Sequence, residues 1–108
     1  MDMKITELTN RIGYHDIMNY YGNVIQEMVD KNQKGHKHYR KMKNGFEALV
    51  SSKEPTAEQF DLCFLKALVG IVKACKKNEG EVAKVITTEL PFRKDALIDL
   101  YKAQYHDR

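Results

Sequence analysis

Apolar side chains along this chain recur at helical spacing almost throughout, and no stretch shows the strict alternation of a half-buried strand. From about Lys4 to Ile12, Ile5, Leu8 and Ile12 fall at i, i+3 and i+7, and Gly13 can close the turn as a left-handed cap. So short a helix depends on tertiary support. From about His15 to Lys31, a stripe of Ile17, Tyr21, Val24, Ile25, Met28 and Val29 predicts a second helix, with Asp16 placed as its N-cap. Gly22 weakens that helix by about 1 kcal/mol relative to alanine. A third runs from about His36 to Val50, with Tyr39, Met42, Phe46, Leu49 and Val50 on its apolar face. Ser51, Ser52 and Pro55 mark the loop that follows.

The fourth segment, about Thr56 to Lys77, is the most informative. Thr56 and Gln59 have the spacing of a capping box. Phe60, Phe64, Leu68, Ile71 and Cys75 line one side, and Leu62, Leu65, Val69 and Val72 another. Cys63, Ala67, Gly70 and Ala74 form a strip of small residues, leaving Lys66, Lys73 and Lys77 as a polar edge. A helix apolar over most of its circumference is a buried central helix. The small strip lets a second helix approach closely, which accounts for glycine at the costly interior position 70. Beyond it, Val82, Val85 and Ile86 predict a short helix over Glu79–Glu89, with Asn78 as its cap. Leu90 and Pro91 break the pattern before a last helix from Phe92 to Tyr105, where Pro91 suits the first turn. The expected fold is all-α: one bundle-like domain over 1–108, with five or six helices around a buried central helix at about 56–77. A second copy of the chain covering one side of that helix, as a homodimer, is the competing arrangement.

Length agrees with that picture, because 108 residues can bury a core without staples. The longest run without a polar residue is Ala67–Val72, far short of the roughly 20 a membrane-spanning helix needs. No apolar stretch follows Lys4, so no signal peptide is expected. Cys63 and Cys75 would lie about 18 Å apart on one helix, too far for a bridge. They read as small buried hydrophobes in a reducing compartment, and a cytoplasmic location is expected.

Charge changes the picture more. The formal net charge is +3, from 18 basic and 15 acidic residues. Six of the basic residues fall between Lys31 and Lys43, with no acid among them, leaving 12 basic against 15 acidic elsewhere. On the third helix, Lys34, Lys37, Arg40 and Lys41 project away from the apolar face, and Lys43 completes the run. Such a patch attracts phosphate backbones, acidic protein surfaces or anionic lipid heads, although many lysine-rich faces are simply solvated.

Catalytic and metal chemistry find little footing. His36 and His38 point about 200° apart on a helix and cannot share one ion. The acid pairs Glu27/Asp30, Glu58/Asp61 and Glu79/Glu81 each fall on the polar side of a predicted helix, where solvation is expected. There is no glycine-rich phosphate loop, GxSxG, HExxH or EF-hand loop. No cofactor, metal or catalytic residue is therefore assigned.

The stretch Ala74-Cys75-Lys76-Lys77-Asn78-Glu79-Gly80-Glu81-Val82-Ala83-Lys84, followed by Leu90, resembles the opening of the inversion-stimulation-factor type of helix-turn-helix. The resemblance covers about a third of the chain and implies a DNA-reading last helix. The turn carries Pro91 where that type favours glycine, and Asp95 and Asp99 sit among Arg93, Lys94 and Lys102. The sequence thus ranks three classes. First is a non-enzymatic regulatory or interaction protein, an adaptor or inhibitor, docking a protein partner through helix faces and the basic surface Lys34, Lys37, Arg40, Lys41 and Lys43. Second is a nucleic-acid binder using the same patch with the C-terminal segment. An enzyme comes third.

Overall fold

The computed structural model describes residues 14–32, 35–52, 55–78 and 80–106. The expected first helix at 4–12 and Lys34 lie outside them. Among the described residues five α-helices follow one another: α1 (Tyr14–Asn32), α2 (His36–Ser51), α3 (Ala57–Ala74), α4 (Gly80–Glu89) and α5 (Lys94–Tyr101). A 3-10 turn at Pro91–Arg93 joins the last two, and a π turn, Lys102–His106, follows α5. The described residues contain no strand, and none of their helices is long and apolar enough to cross a membrane. The architecture is an all-α bundle around α3.

The ends of α2 and α3 have local causes. Asp16 falls inside α1 rather than at its cap, since the helix starts at Tyr14. Ahead of α2, Gly35 adopts a left-handed conformation (φ 78°). A Cβ there would stand 2.8 Å from Ile71 Cγ1, so glycine serves both the backbone and the approach of α3. The α2 helix stops where the Ser52 hydroxyl and N–H both turn back to the Leu49 carbonyl, at 2.6 and 3.0 Å. At the start of α3 the capping box is present: the Gln59 N–H donates to Thr56 Oγ1 at 3.2 Å, and the Thr56 N–H to Gln59 Oε1 at 2.8 Å.

The α3 helix ends at Ala74, short of the expected Lys77. Lys76 turns left-handed (φ 57°), its N–H donates to the Lys73 carbonyl at 3.0 Å, and the Lys77 N–H reaches Val72 at 3.0 Å. This is a Schellman closure built on lysine where glycine is the usual residue.

Burial follows the apolar stripes. Tyr21, Ile25 and Val29 of α1, Met42 and Phe46 of α2, Val82 and Ile86 of α4, and Leu97 and Tyr101 of α5 all join one buried cluster with α3. From α3 come Phe60, Phe64, Leu65, Ala67, Leu68, Val69, Ile71 and Val72. Tyr21 stacks on Phe64 with ring centroids 4.3 Å apart. Leu90, at the break between α4 and the 3-10 turn, is fully buried and anchors the C-terminal hairpin.

The expected close crossing at Gly70 lies within the chain. A Cβ at Gly70 would stand 2.6 Å from ring atoms of His38, and one at Gly45 would stand 2.7 Å from Cys63 Sγ. These contacts, with Gly35 against Ile71, run α2 antiparallel to α3 along the strip of small residues.

One expectation fails clearly. Asp61, read from sequence as a solvated acid beside Glu58, is 2% exposed. It accepts from the Tyr21 hydroxyl at 2.5 Å and from Arg93 Nη2. Hydrophobic period alone places Asp61 on the edge of α3, but α1 and the 3-10 turn close over that edge and bring it two donors. Burial, and then the Asp61 charge and hydrogen bond, raise the Tyr21 pKa above its ordinary value. Burial works against the Arg93 charge, yet the Asp61 hydrogen bond and charge outweigh it and raise the Arg93 pKa.

Candidate functional site

The basic residues of α2 divide according to which neighbour flanks them. Lys37, Arg40, Lys41 and Lys43 are all exposed. Lys41 lies toward α3, bordering a cleft of about 350 Å³ with His38, Met42, Gly45, Cys63, Lys66 and Ala67. Lys37 precedes Lys41 by one turn and lies on the same flank, with Arg40 on the outer crest. Lys43 turns the other way, toward α1, where its ammonium stands 5.5 Å from the centre of the Tyr39 ring. Tyr39 in turn donates to Gln26 Oε1 across a long 3.5 Å contact. Lys43 therefore does not share a face with Lys41.

The sequence patch gains members from α3 instead. Lys66 borders the same cleft as Lys41. Lys73, seven residues on, lies on the same face of α3 as Lys66 and is exposed. The signal was present as the lysine edge of the central helix, but sequence alone does not show which neighbour that edge lies beside. Antiparallel pairing answers this, because His38 against Gly70 sets Lys37 and Lys41 alongside Lys73 and Lys66. Neither chain segment carries an acid over 36–46 or 62–78.

The electrostatics of the cleft bear the mark of this arrangement. Burial lowers the His38 pKa below its ordinary value, and the charges of Lys37 and Lys41 lower it further. Burial raises the Cys63 pKa, with Lys66 pulling the other way. The Cys63 thiol donates to the Met42 carbonyl at 3.6 Å. A protonated, half-buried thiol is a poor nucleophile. Among the described residues no group of three or more His, Cys, Asp or Glu side chains could hold a metal ion.

The helix-turn-helix outline exists in space as α4, the 3-10 turn and α5, but its helices have only 10 and 8 residues. Arg93, the first cation of the would-be reading segment, is held by Asp61. What remains exposed on α5 is Lys94 with Asp95 and Asp99. Comparison of the chain with protein families, with curated proteins and with solved structures finds no match.

Proposed function

We propose that this protein is a non-enzymatic interaction module that docks an acidic surface of a partner protein on the paired α2–α3 face. The observation that carries this reading is the alignment of Lys37 and Lys41 with Lys66 and Lys73 along antiparallel helices that carry no acid there, with Arg40 beside them on the outer crest of α2. Opposite charge on a partner is attracted to such a face over a Debye length, about 8 Å at physiological salt. An adaptor or inhibitor needs no more chemistry than this.

Nucleic acid is the second reading, and the same face would be its site. Arg93 is committed to Asp61, and the exposed aspartates of α5 oppose phosphates, so the C-terminal helices add little to it. The two readings part by which ligand the face prefers. Anisotropy of a labelled hexaglutamate peptide and of a labelled 20-base-pair duplex would be measured with the wild-type protein and with Lys37→Glu/Arg40→Glu/Lys41→Glu. The docking reading expects the peptide to bind and the triple variant to lose it, with an unchanged melting temperature. A duplex bound far more tightly than the peptide, with a log–log salt slope of several, would replace it with the nucleic-acid reading.

A further inference from the structure

We propose that the cleft between α2 and α3 receives a phosphate monoester carried on a serine or threonine of the partner, with Lys41 and Lys66 clasping it from opposite walls. The inference rests on the acidic-partner reading above and deepens it by naming the group recognised. Its first support is the composition of the cleft. Lys41 comes from one helix and Lys66 from the other, and His38, Met42, Gly45, Cys63 and Ala67 line the rest. A largely apolar lining between two lysines suits a short aliphatic stem ending in an anion. A neutral imidazole adds one N–H donor, and Lys41 and Lys66 supply three each. At about 350 Å³ the cleft takes a side chain rather than a whole helix.

Charge balance selects the anion. Two lysines present two positive charges, and neither helix has an acid nearby to neutralise them. Asp61, the acid farther along α3, is buried against Tyr21 and Arg93. A phosphate monoester brings about −1.5 to −2 near pH 7 and three acceptor oxygens. A carboxylate or a phosphodiester brings a single charge and leaves one lysine unmatched. Two other grooves lack this character. The groove between α1 and α4 mixes Glu27, Lys31, Lys77 and Glu81, which pair among themselves at 3.4 and 3.9 Å. The groove between α1 and α2 sets Glu47 beside Lys43. The cations flanking the α2–α3 cleft, Lys37 and Lys73, then serve acidic residues beside the phosphorylated one.

The test compares a glutamate-rich peptide bearing one phosphoserine with the same peptide bearing serine, by anisotropy at fixed ionic strength. The phosphorylated peptide should bind at least about tenfold more tightly. Lys41→Gln/Lys66→Gln should remove that advantage, whereas Lys37→Gln should weaken both peptides alike. Both double-variant positions are exposed, and circular dichroism checks that the helices persist. Equal binding of the two peptides would overturn the phosphate site and leave the acidic-face reading standing. Failure of both peptides to bind would remove the two together. An advantage that survives in Lys41→Gln/Lys66→Gln would place the phosphate elsewhere and overturn the assignment. Competition by inorganic phosphate as strong as that of the phosphopeptide would mean a free-phosphate site and would overturn the partner. Tighter binding of a single-stranded oligonucleotide, lost in the same double variant, would make the cleft a phosphodiester site and do likewise.

Discussion

Replacing Asp61 by alanine should be among the most damaging single changes in the protein, for a reason that has little to do with volume. Two things are lost at once. The charge-assisted hydrogen bond from Arg93 contributes about 1.5–3 kcal/mol. The Tyr21 hydroxyl, on a side chain 1% exposed, loses its acceptor at a further cost of about 1–3 kcal/mol. Arg93 keeps 30% of its side chain exposed, so its guanidinium can turn toward water and the total falls short of the sum. The expected loss is about 3–4 kcal/mol, within the range for breaking a buried ion pair from one side. Urea denaturation reads it as a lower midpoint at unchanged slope.

Removing the Tyr21 hydroxyl has opposite effects with and without its acceptor. Tyr21→Phe alone should cost about 1 kcal/mol, because it removes one hydrogen bond from Asp61. In the Asp61→Ala background the same change should instead restore about 1 kcal/mol, because it removes an orphaned hydroxyl. A loss below about 1 kcal/mol for Asp61→Ala, or a Tyr21→Phe effect of the same sign in both backgrounds, would refute the claim that these three side chains form one buried polar cluster.

Other expectations are simpler. Lys76→Gly should stabilise by about 0.5–1 kcal/mol, since Lys76 is exposed and left-handed; a destabilising effect in thermal melts would refute the Schellman closure. Gly70→Leu should cost about 1–3 kcal/mol by overpacking His38, while sedimentation shows no change of mass, because the crossing is internal. Phe64→Ala should cost about 3–5 kcal/mol in urea, as a fully buried ring stacked on Tyr21. His38 has a lowered folded pKa, so the unfolded chain binds the extra proton first. Its contribution is therefore complete above the unfolded value near 6.5 and is lost as pH falls below it, and His38→Gln should flatten that part of the stability–pH curve.

Helix positions and most core residues were legible because burial on one face imposes a 3.6-residue period. The period of α3 marked it as central, and the small strip at Cys63, Ala67 and Gly70 marked where another helix would approach. Asp61 was not legible, because a buried carboxylate and a solvated one have the same letter, and its partners stand 40 and 32 residues away. The closing turn at Lys76 was hidden for a related reason, since lysine gives no signal of a left-handed backbone. Half of the candidate surface, the α2 cations, showed as a run in sequence. The other half, Lys66 and Lys73, became part of it only through the antiparallel pairing of two helices.

The most direct test of the docking face is a residue-by-residue map. Labelled protein titrated with hexaglutamate, followed through its backbone amide resonances, should show saturating shifts at Lys37, Lys41, Gly45, Lys66 and Lys73. Lys84, Asp95 and Asp99, on the C-terminal helices, should stay still. A map centred on residues 80–101, or shifts spread evenly over every exposed lysine without saturation, would contradict the assignment of binding to the α2–α3 face.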